Sequence, residues 1–241
     1  MIAKEGTPSV MKRVAFHGFV PSSLPDLEDY LRRYKDAELW GFNGSDRLVD
    51  KSNKHRSRYT RWYELHSREK FEADGDVDNM AQADCRVILQ QPHPGVPSSE
   101  AFPIEEVKAL LIYPYITNSI TMMIVHAILD GFEEIALFGI DMAIRMGDGP
   151  SELSEQRPSV EYALGIAVGR GLSVVIPDAC DLLKTDVIYG YDEHQDSIQT
   201  WARRHLQYLQ DQRRSYERAA SQYQGAIDEF TSTRARWGKD I

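Results

Sequence analysis

Glu134-Ile135-Ala136-Leu137-Phe138-Gly139-Ile140-Asp141 decides the fold. A nearly unbroken apolar run of strand length is the pattern of a parallel strand buried on both faces. Its ending, a glycine followed by a carboxylate, puts polar chemistry where such a strand meets a ligand crevice. Immediately upstream, Asn118 or Ser119 caps an apolar helix running to about Asp130, and Gly131 stops it. Downstream, 142–158 is a polar, glycine-containing connection. Pro158 then suits the first turn of a helix through VEYALGIAVGRG that Gly171 closes, before the strand LSVVIP.

The same alternation extends toward the N-terminus. KRVAF reads as a first strand, and HGFVPSSLPDLEDYLRRY turns into an amphipathic helix with Leu24, Leu27, Tyr30, Leu31 and Tyr34 on its apolar face and Ser22 or Ser23 as N-cap. AELWGF, YTRWYELHSRE and CRVILQ supply three further strand-like segments. PHPGVPSSEAFP is rich enough in proline to read as a surface loop, and 104–111 as a short helix. DACDLLKTDVIYGY predicts a short helix and an extended piece. Strands alternating with helices imply an α/β fold, a Rossmann-like, doubly wound and mostly parallel sheet.

Residues 1–192 form this nucleotide-binding-type domain in our reading, and 193–241 a long C-terminal helix. There Leu209, Tyr216, Tyr223, Phe230 and Trp237 recur every seventh position, with Leu206, Ala220 and Ile227 at the complementary offset. Arg213 and Arg234 interrupt the seam. The repeat predicts a coiled-coil contact and a homo-oligomer; a helix folded back on its own domain is the alternative.

The 241 residues carry a net charge of −9, the first 192 carrying −10 and the remainder +1. Such a surface repels a phosphate backbone, so extended DNA binding is not expected. No apolar run approaches the length of a membrane span, and the N-terminus lacks a secretory pattern, so the sequence predicts a cytoplasmic protein. Cys85 and Cys180 are not spaced as a metal pair and read as buried thiols. HExxH, GxSxG and Walker A sequences are missing, which disfavours zinc protease, lipase and P-loop ATPase functions.

Candidate chemistry collects at strand exits. Gly18, Ser22 and Ser23 lie where the first strand turns into a helix, whose free N–H groups favour a phosphate; an ordinary capped turn would use the same residues. Asn43 and Gly44 end the second strand, where an amide can read donor and acceptor together or simply make a turn. If 61–68 is extended, Trp62, Glu64, His66 and Arg68 share one face. His66 is then a general base with Arg61 and Arg68 near it for phosphate, or part of a mixed polar surface. Asp141, Glu152 and Asp178 are carboxylates able to hold a metal, contact a ribose or cap turns, and Arg157 and Glu161 have the spacing of an intrahelical ion pair.

Three stretches, WGFNGSDR with RYTRWYELHSRE, TNSITMMIVHAILDGFEEIALFGIDM, and EQRPSVEYALGIAVGRGLSVVIPDACDLL, resemble a group of bacteriophage proteins. Their Rossmann-like domain is similar to the 6-hydroxymethylpterin pyrophosphokinase-like family and, distantly, to bacterial sialyltransferases that use CMP-linked sugars. The wider resemblance rests on GFVPSSL and FGIDM. It implies nucleotide binding at Gly18, Ser22, Ser23 and Asn43, with Gly44, Asn118, Ser119 and Gly139 beside them. Three functions follow as expectations. The first is a phage-encoded transferase using a nucleotide or nucleotide sugar, with His66 and Asp141 catalytic and Arg61, Arg68, Arg157 and Glu161 at the phosphate or acceptor. The second is an ATP-dependent pyrophosphokinase with Mg²⁺ on Asp141, Glu152 or Asp178. The third is a non-enzymatic nucleotide-sensing or assembly protein.

Overall fold

The computed structural model describes residues 11–19, 24–43, 58–140, 142, 152–178, 180–185, 188–189, 191 and, with interruptions, 202–232. The chain divides into two compact units, Met1–Leu183 and Lys184–Ile241.

The first unit is built on seven parallel strands: β1 (Arg13–His17), β2 (Glu38–Phe42), β3 (Arg61–Glu64), β4 (Arg86–Leu89), β5 (Ser99–Ala101), β6 (Glu134–Phe138) and β7 (Ser173–Val175), in the order β5-β4-β3-β2-β1-β6-β7. The helices are α1 (Leu24–Arg33), α2 (Arg68–Ala73), α3 (Val77–Ala81), α4 (Ile104–Leu110), α5 (Ser119–Leu129) and α6 (Glu152–Gly169). The strand order makes the central pair explicable: successive strands spread from β1 toward β5, then the chain returns to place β6 on the other side of β1. That reversal opens a crevice beyond the carboxyl ends of β1 and β6.

Alternation along the strands sorts the core into two layers. Val14, Phe16, Trp40, Tyr63, Ile135 and Leu137 face α5 and α6, where Met123, Ile124, Ala127, Val160 and Leu164 are fully buried. Ala15, Leu39, Trp62, Val87, Ala136 and Phe138 pack on the opposite side with Leu27 and Leu31 of α1. Every residue of β6 is buried, as its continuous apolar sequence requires.

Several expectations change. The proline-rich stretch is not wholly loop, because Ser99–Ala101 pairs with β4 through Val87, Ile88 and Leu89. Its four prolines, Pro92, Pro94, Pro97 and Pro103, fall outside the three paired residues, and the strand lies at the sheet edge, where few ladder bonds are needed. β3 ends at Glu64; Ser67 accepts from the Lys70 N–H and starts α2, so Arg68 opens a helix and does not continue the strand face. Pro158 sits inside α6, which begins six residues before it. The described residues of 178–191 show turns and no helix. Cys180 is buried, Cys85 only partly so, and neither forms a disulfide.

Every described residue between 202 and 232 is helical, with undescribed residues interspersed. Tyr216, Arg234 and Trp237 of the seven-residue repeat lie outside the described residues. Among the described residues no helix is long and apolar enough to cross a membrane.

Candidate functional site

A cavity of about 580 Å³ opens at the carboxyl end of the sheet. Asn43 from the end of β2, His66 just past β3, Gly139 and Ile140 past β6, and Asn118 and Ser119 at the start of α5 all line it. Phe19 and Phe42, ring centroids 5.0 Å apart and edge to face, make an aromatic wall. Such a wall suits the face of a planar base.

At Gly139, in the cavity lining, main chain packs on main chain. Gly18 donates its N–H to the Phe138 carbonyl at 2.8 Å, and a Cβ placed on Gly18 would come within 2.3 Å of the Gly139 oxygen. Only glycine lets the exits of β1 and β6 approach so closely, and Gly139 itself has φ +68, a conformation glycine adopts without cost.

Asn43 carries strain. Its φ of +47 is left-handed, sparsely populated for a residue with a side chain. Two hydrogen bonds hold it there: its N–H donates to the Tyr63 carbonyl and its own carbonyl accepts from the Trp62 indole, both at 2.8 Å. Among the described residues the buried side-chain oxygen Oδ1 has no hydrogen-bond partner. Asparagine tolerates this backbone in a turn, but the unspent buried acceptor is a cost that a turn alone does not explain.

His66 lies opposite. Its Nδ1 is 2.6 Å from Oε1 of Glu64, and its backbone N–H donates to the same oxygen at 3.2 Å. Glu64 is buried, whereas the imidazole is about half exposed at 47%. A buried carboxylate accepting from Nδ1–H fixes the ring orientation and the tautomer, leaving Nε2 as the nitrogen that can take a proton.

The third wall joins the N-terminus of α5 to the first two turns of α6. Asn118 caps α5, its Oδ1 accepting from the Thr121 N–H at 2.8 Å while its amide nitrogen donates to the Gln156 carbonyl at 3.2 Å. Ser159 of α6, fully buried, is the node of a hydroxyl cluster with Thr117 at 2.6 Å and Thr121 at 2.7 Å. The start of α5 therefore has a fixed position, and its dipole is positive toward the cavity. Among the described residues lining the cavity, His66 alone is titratable, so a bound anion would meet helix and main-chain N–H groups and not a lysine or arginine.

The sequence reading is thus brought together in part. Asn43, His66, Asn118, Ser119 and Gly139 line one cavity, and Gly18, not itself in the lining, packs against Gly139. Ser22, Ser23, Gly44 and Asp141 lie outside the described residues, as does the Glu152 side chain. The arginines do not line the cavity. Arg61 begins β3, away from the strand exits, with its guanidinium 4.3 Å from the Trp40 ring, 2.5 Å from Asp130 and 3.4 Å from Glu38. Arg68 is exposed and bonded to Glu72 at 2.7 Å. Arg157 holds Glu161 at 2.9 Å and also pairs with Asp181, whose other oxygen accepts from the Met142 N–H at 3.0 Å. Arg157 and Glu161 therefore brace the exit of β6. Asp178 is exposed and does not line the cavity, and no group of three potential metal ligands occurs among the described residues.

Sequence reasoning passed over Glu64 as a partner, although its position two residues before His66 was the available signal. Gln156 and Ser159 carried none, because their role comes from α5 and α6 meeting.

No protein-family model and no curated protein matches the chain. Among solved structures, the chain is similar to the sialyltransferase CstII from Campylobacter jejuni in complex with the substrate analogue CMP-3FNeuAc, at 17% identity and TM-score 0.46 over 76% of this chain and 92% of that one. A structure of CST-II with a trisaccharide acceptor and CMP aligns at 18% identity and TM-score 0.44, over 73% and 89% of the two chains. Monomeric CstII aligns at 15% identity and TM-score 0.44, over 80% and 99%.

Proposed function

We propose that the chain is a transferase for a nucleotide-activated donor, with a nucleotide sugar as the donor and a hydroxyl of a glycan or nucleobase as the acceptor. The observation that carries this reading is the meeting, in one cavity, of an unpartnered amide acceptor on Asn43 with an imidazole held by a buried carboxylate. Asn43 and the Phe19–Phe42 wall suit a nucleobase or ribose, and the α5 N-terminus beside Asn118 and Ser119 suits the phosphate. His66 then acts on the acceptor. Its Nε2 takes the hydroxyl proton as the acceptor oxygen bonds to the anomeric carbon and the bond from that carbon to the donor phosphate breaks, its electron pair leaving with the phosphate. Glu64 would face the imidazolium so formed. The phage resemblance of the sequence supports a phage-encoded enzyme.

A thermal-shift screen against CMP, UDP, GDP, ADP and ATP, each with and without Mg²⁺, tests the proposal, since a ligand bound only by the folded state raises the melting temperature. A metal-independent rise with CMP or UDP is expected. A rise with ATP confined to Mg²⁺ would replace this reading by pyrophosphoryl transfer, with Mg²⁺ as cofactor. No rise with any nucleotide would leave a nucleotide-independent assembly role.

A further inference from the structure

Residues 112–116, between α4 and α5, form a strap that is ordered by its own backbone. One end is anchored by Leu111, which is buried, and the other by Thr117, whose Oγ1 lies 2.6 Å from that of the fully buried Ser159. Between the anchors two three-residue turns follow one another. The Tyr115 N–H donates to the Tyr113 carbonyl at 2.7 Å, and the Ile116 N–H donates to the Pro114 carbonyl at 3.1 Å. Such a turn wants a φ of about −75° at its central residue, and the Pro114 ring fixes its own φ close to that value. Ile116 turns inward, packing on the core and lining the cavity. The tyrosines turn outward: Tyr113 is 71% exposed and Tyr115 43%, the second ring having its centroid 6.3 Å from that of Tyr162 on α6. The rest of the first unit therefore leaves two aromatic rings uncovered on a strap that holds its shape.

Their place along the chain ties them to the cavity. Ile116, Thr117, Asn118 and Ser119 line it in succession, so Tyr115 stands one Cα step, about 3.8 Å, outside the lining. A cavity of about 580 Å³ is of a size that a nucleotide sugar fills. The body of an acceptor then rests on the rim. Tyrosine suits that position, because it offers a large, rigid, amphipathic contact with little side-chain entropy to lose. The apolar C–H face of a sugar ring packs on the phenol ring, and the sugar hydroxyls reach the phenol oxygen.

Charge separates a glycan from the nucleic acid that could also stack here. Bases do pack on aromatic rings, yet they arrive on a phosphate backbone, and the first 192 residues carry −10. An uncharged glycan meets the same rings without that repulsion.

We propose that Tyr113 and Tyr115 are the acceptor platform of the cavity, stacking on sugar rings of an uncharged glycan; the assignment rests on the transferase reading above and chooses the glycan as its acceptor. Saturation-transfer NMR on the full chain tests it, with maltotriose, cellotriose and chitotriose as neutral probes and an oligo-dT strand as the anionic one. At least one trisaccharide should bind. Tyr113→Ala should weaken it about tenfold, and Tyr113→Phe, which keeps the ring, should stay within about threefold of the wild type. Tyr115→Ala should weaken it similarly. Tyr113 is the cleaner position, since its exposure makes a folding defect unexpected, and melting temperatures of the variants verify that. Binding of no trisaccharide overturns the proposal, as does binding that both alanine variants leave unchanged. Binding of oligo-dT alone, lost in the same variants, overturns it in favour of a nucleic acid. The rise in melting temperature with nucleotide, measured on the same proteins, separates the two readings and should be the same in variant and wild type. A nucleotide response without saccharide binding removes the platform and leaves the transferase; saccharide binding through the tyrosines without any nucleotide response keeps the platform and removes the transferase.

Discussion

Oε1 of Glu64 lies 2.6 Å from Nδ1 of His66, and this single contact joins a carboxylate with 3% exposure to an imidazole on the cavity wall. If the pair works as base and orienting group, His66→Ala should lower turnover about 100-fold or more while nucleotide affinity stays within twofold. Glu64→Gln keeps the volume and a hydrogen bond but removes the charge. It should lower turnover by a similar factor without loss of stability, because it also relieves a buried carboxylate. His66→Ala, in contrast, strands that carboxylate and should cost about 1–3 kcal/mol. Denaturant melts beside initial rates separate these outcomes; a fully active His66→Ala removes the assigned role.

Asn43 makes the opposite trade. Asn43→Gly releases the left-handed strain at φ +47 and should leave stability unchanged or raise it by up to about 1 kcal/mol. It should also weaken nucleotide binding about tenfold or more by deleting the unpaired acceptor. Calorimetric titration of the nucleotide found by thermal shift, alongside a urea melt, reads both. Unchanged affinity would show that Oδ1 contacts no ligand.

Arg61 should behave as a structural residue. It is buried against Trp40 and paired with Asp130 at 2.5 Å, so Arg61→Met is expected to cost about 3 kcal/mol by leaving Asp130 without its cation. Nucleotide affinity of the folded fraction should not change. A loss of affinity at constant stability would return Arg61 to the phosphate site.

Acid stability should report on His126. Burial, opposed by the nearby Asp130 carboxylate and reinforced by Arg61 and Arg86, with Glu100 also facing it, lowers its pKa from 6.5 to about 4. The unfolded chain takes up a proton near pH 6.5 while the folded chain takes one up only near 4. Between those values the unfolded state binds more protons, and stability falls as the pH drops. Urea midpoints at pH 6.5 and pH 5, where most carboxylates remain ionised, should differ in the wild type and differ less in His126→Gln. Equal slopes would place the titration elsewhere.

How much was readable in advance follows the range of the interactions. The α5 cap, the buried strand β6 and the stop at Gly131 are local, and each was legible from a few neighbouring residues. β5 was not, because nothing within Ser99–Ala101 announces pairing with β4; the sheet edge supplies it. Pro158 suggested a helix start by its usual preference, yet α6 begins at Glu152. The charge of Arg61 reads as a phosphate ligand until β3 is placed, when it falls at the end of the strand away from the cavity. Asn43, His66 and Asn118 could be named singly as strand-exit or cap residues. That they share one cavity depends on β2 and β3 ending, and α5 beginning, at the same edge of the sheet.

The contact between Gly18 and Gly139 has an evolutionary reading. Where these two glycines meet there is no side chain to exchange, and a Cβ at Gly18 would drive into the Gly139 carbonyl. The side chains that can vary lie in the surrounding walls, as Ile116 and Met122 do. The scaffold fixes where a ligand sits, and the walls are left free to change which ligand it is.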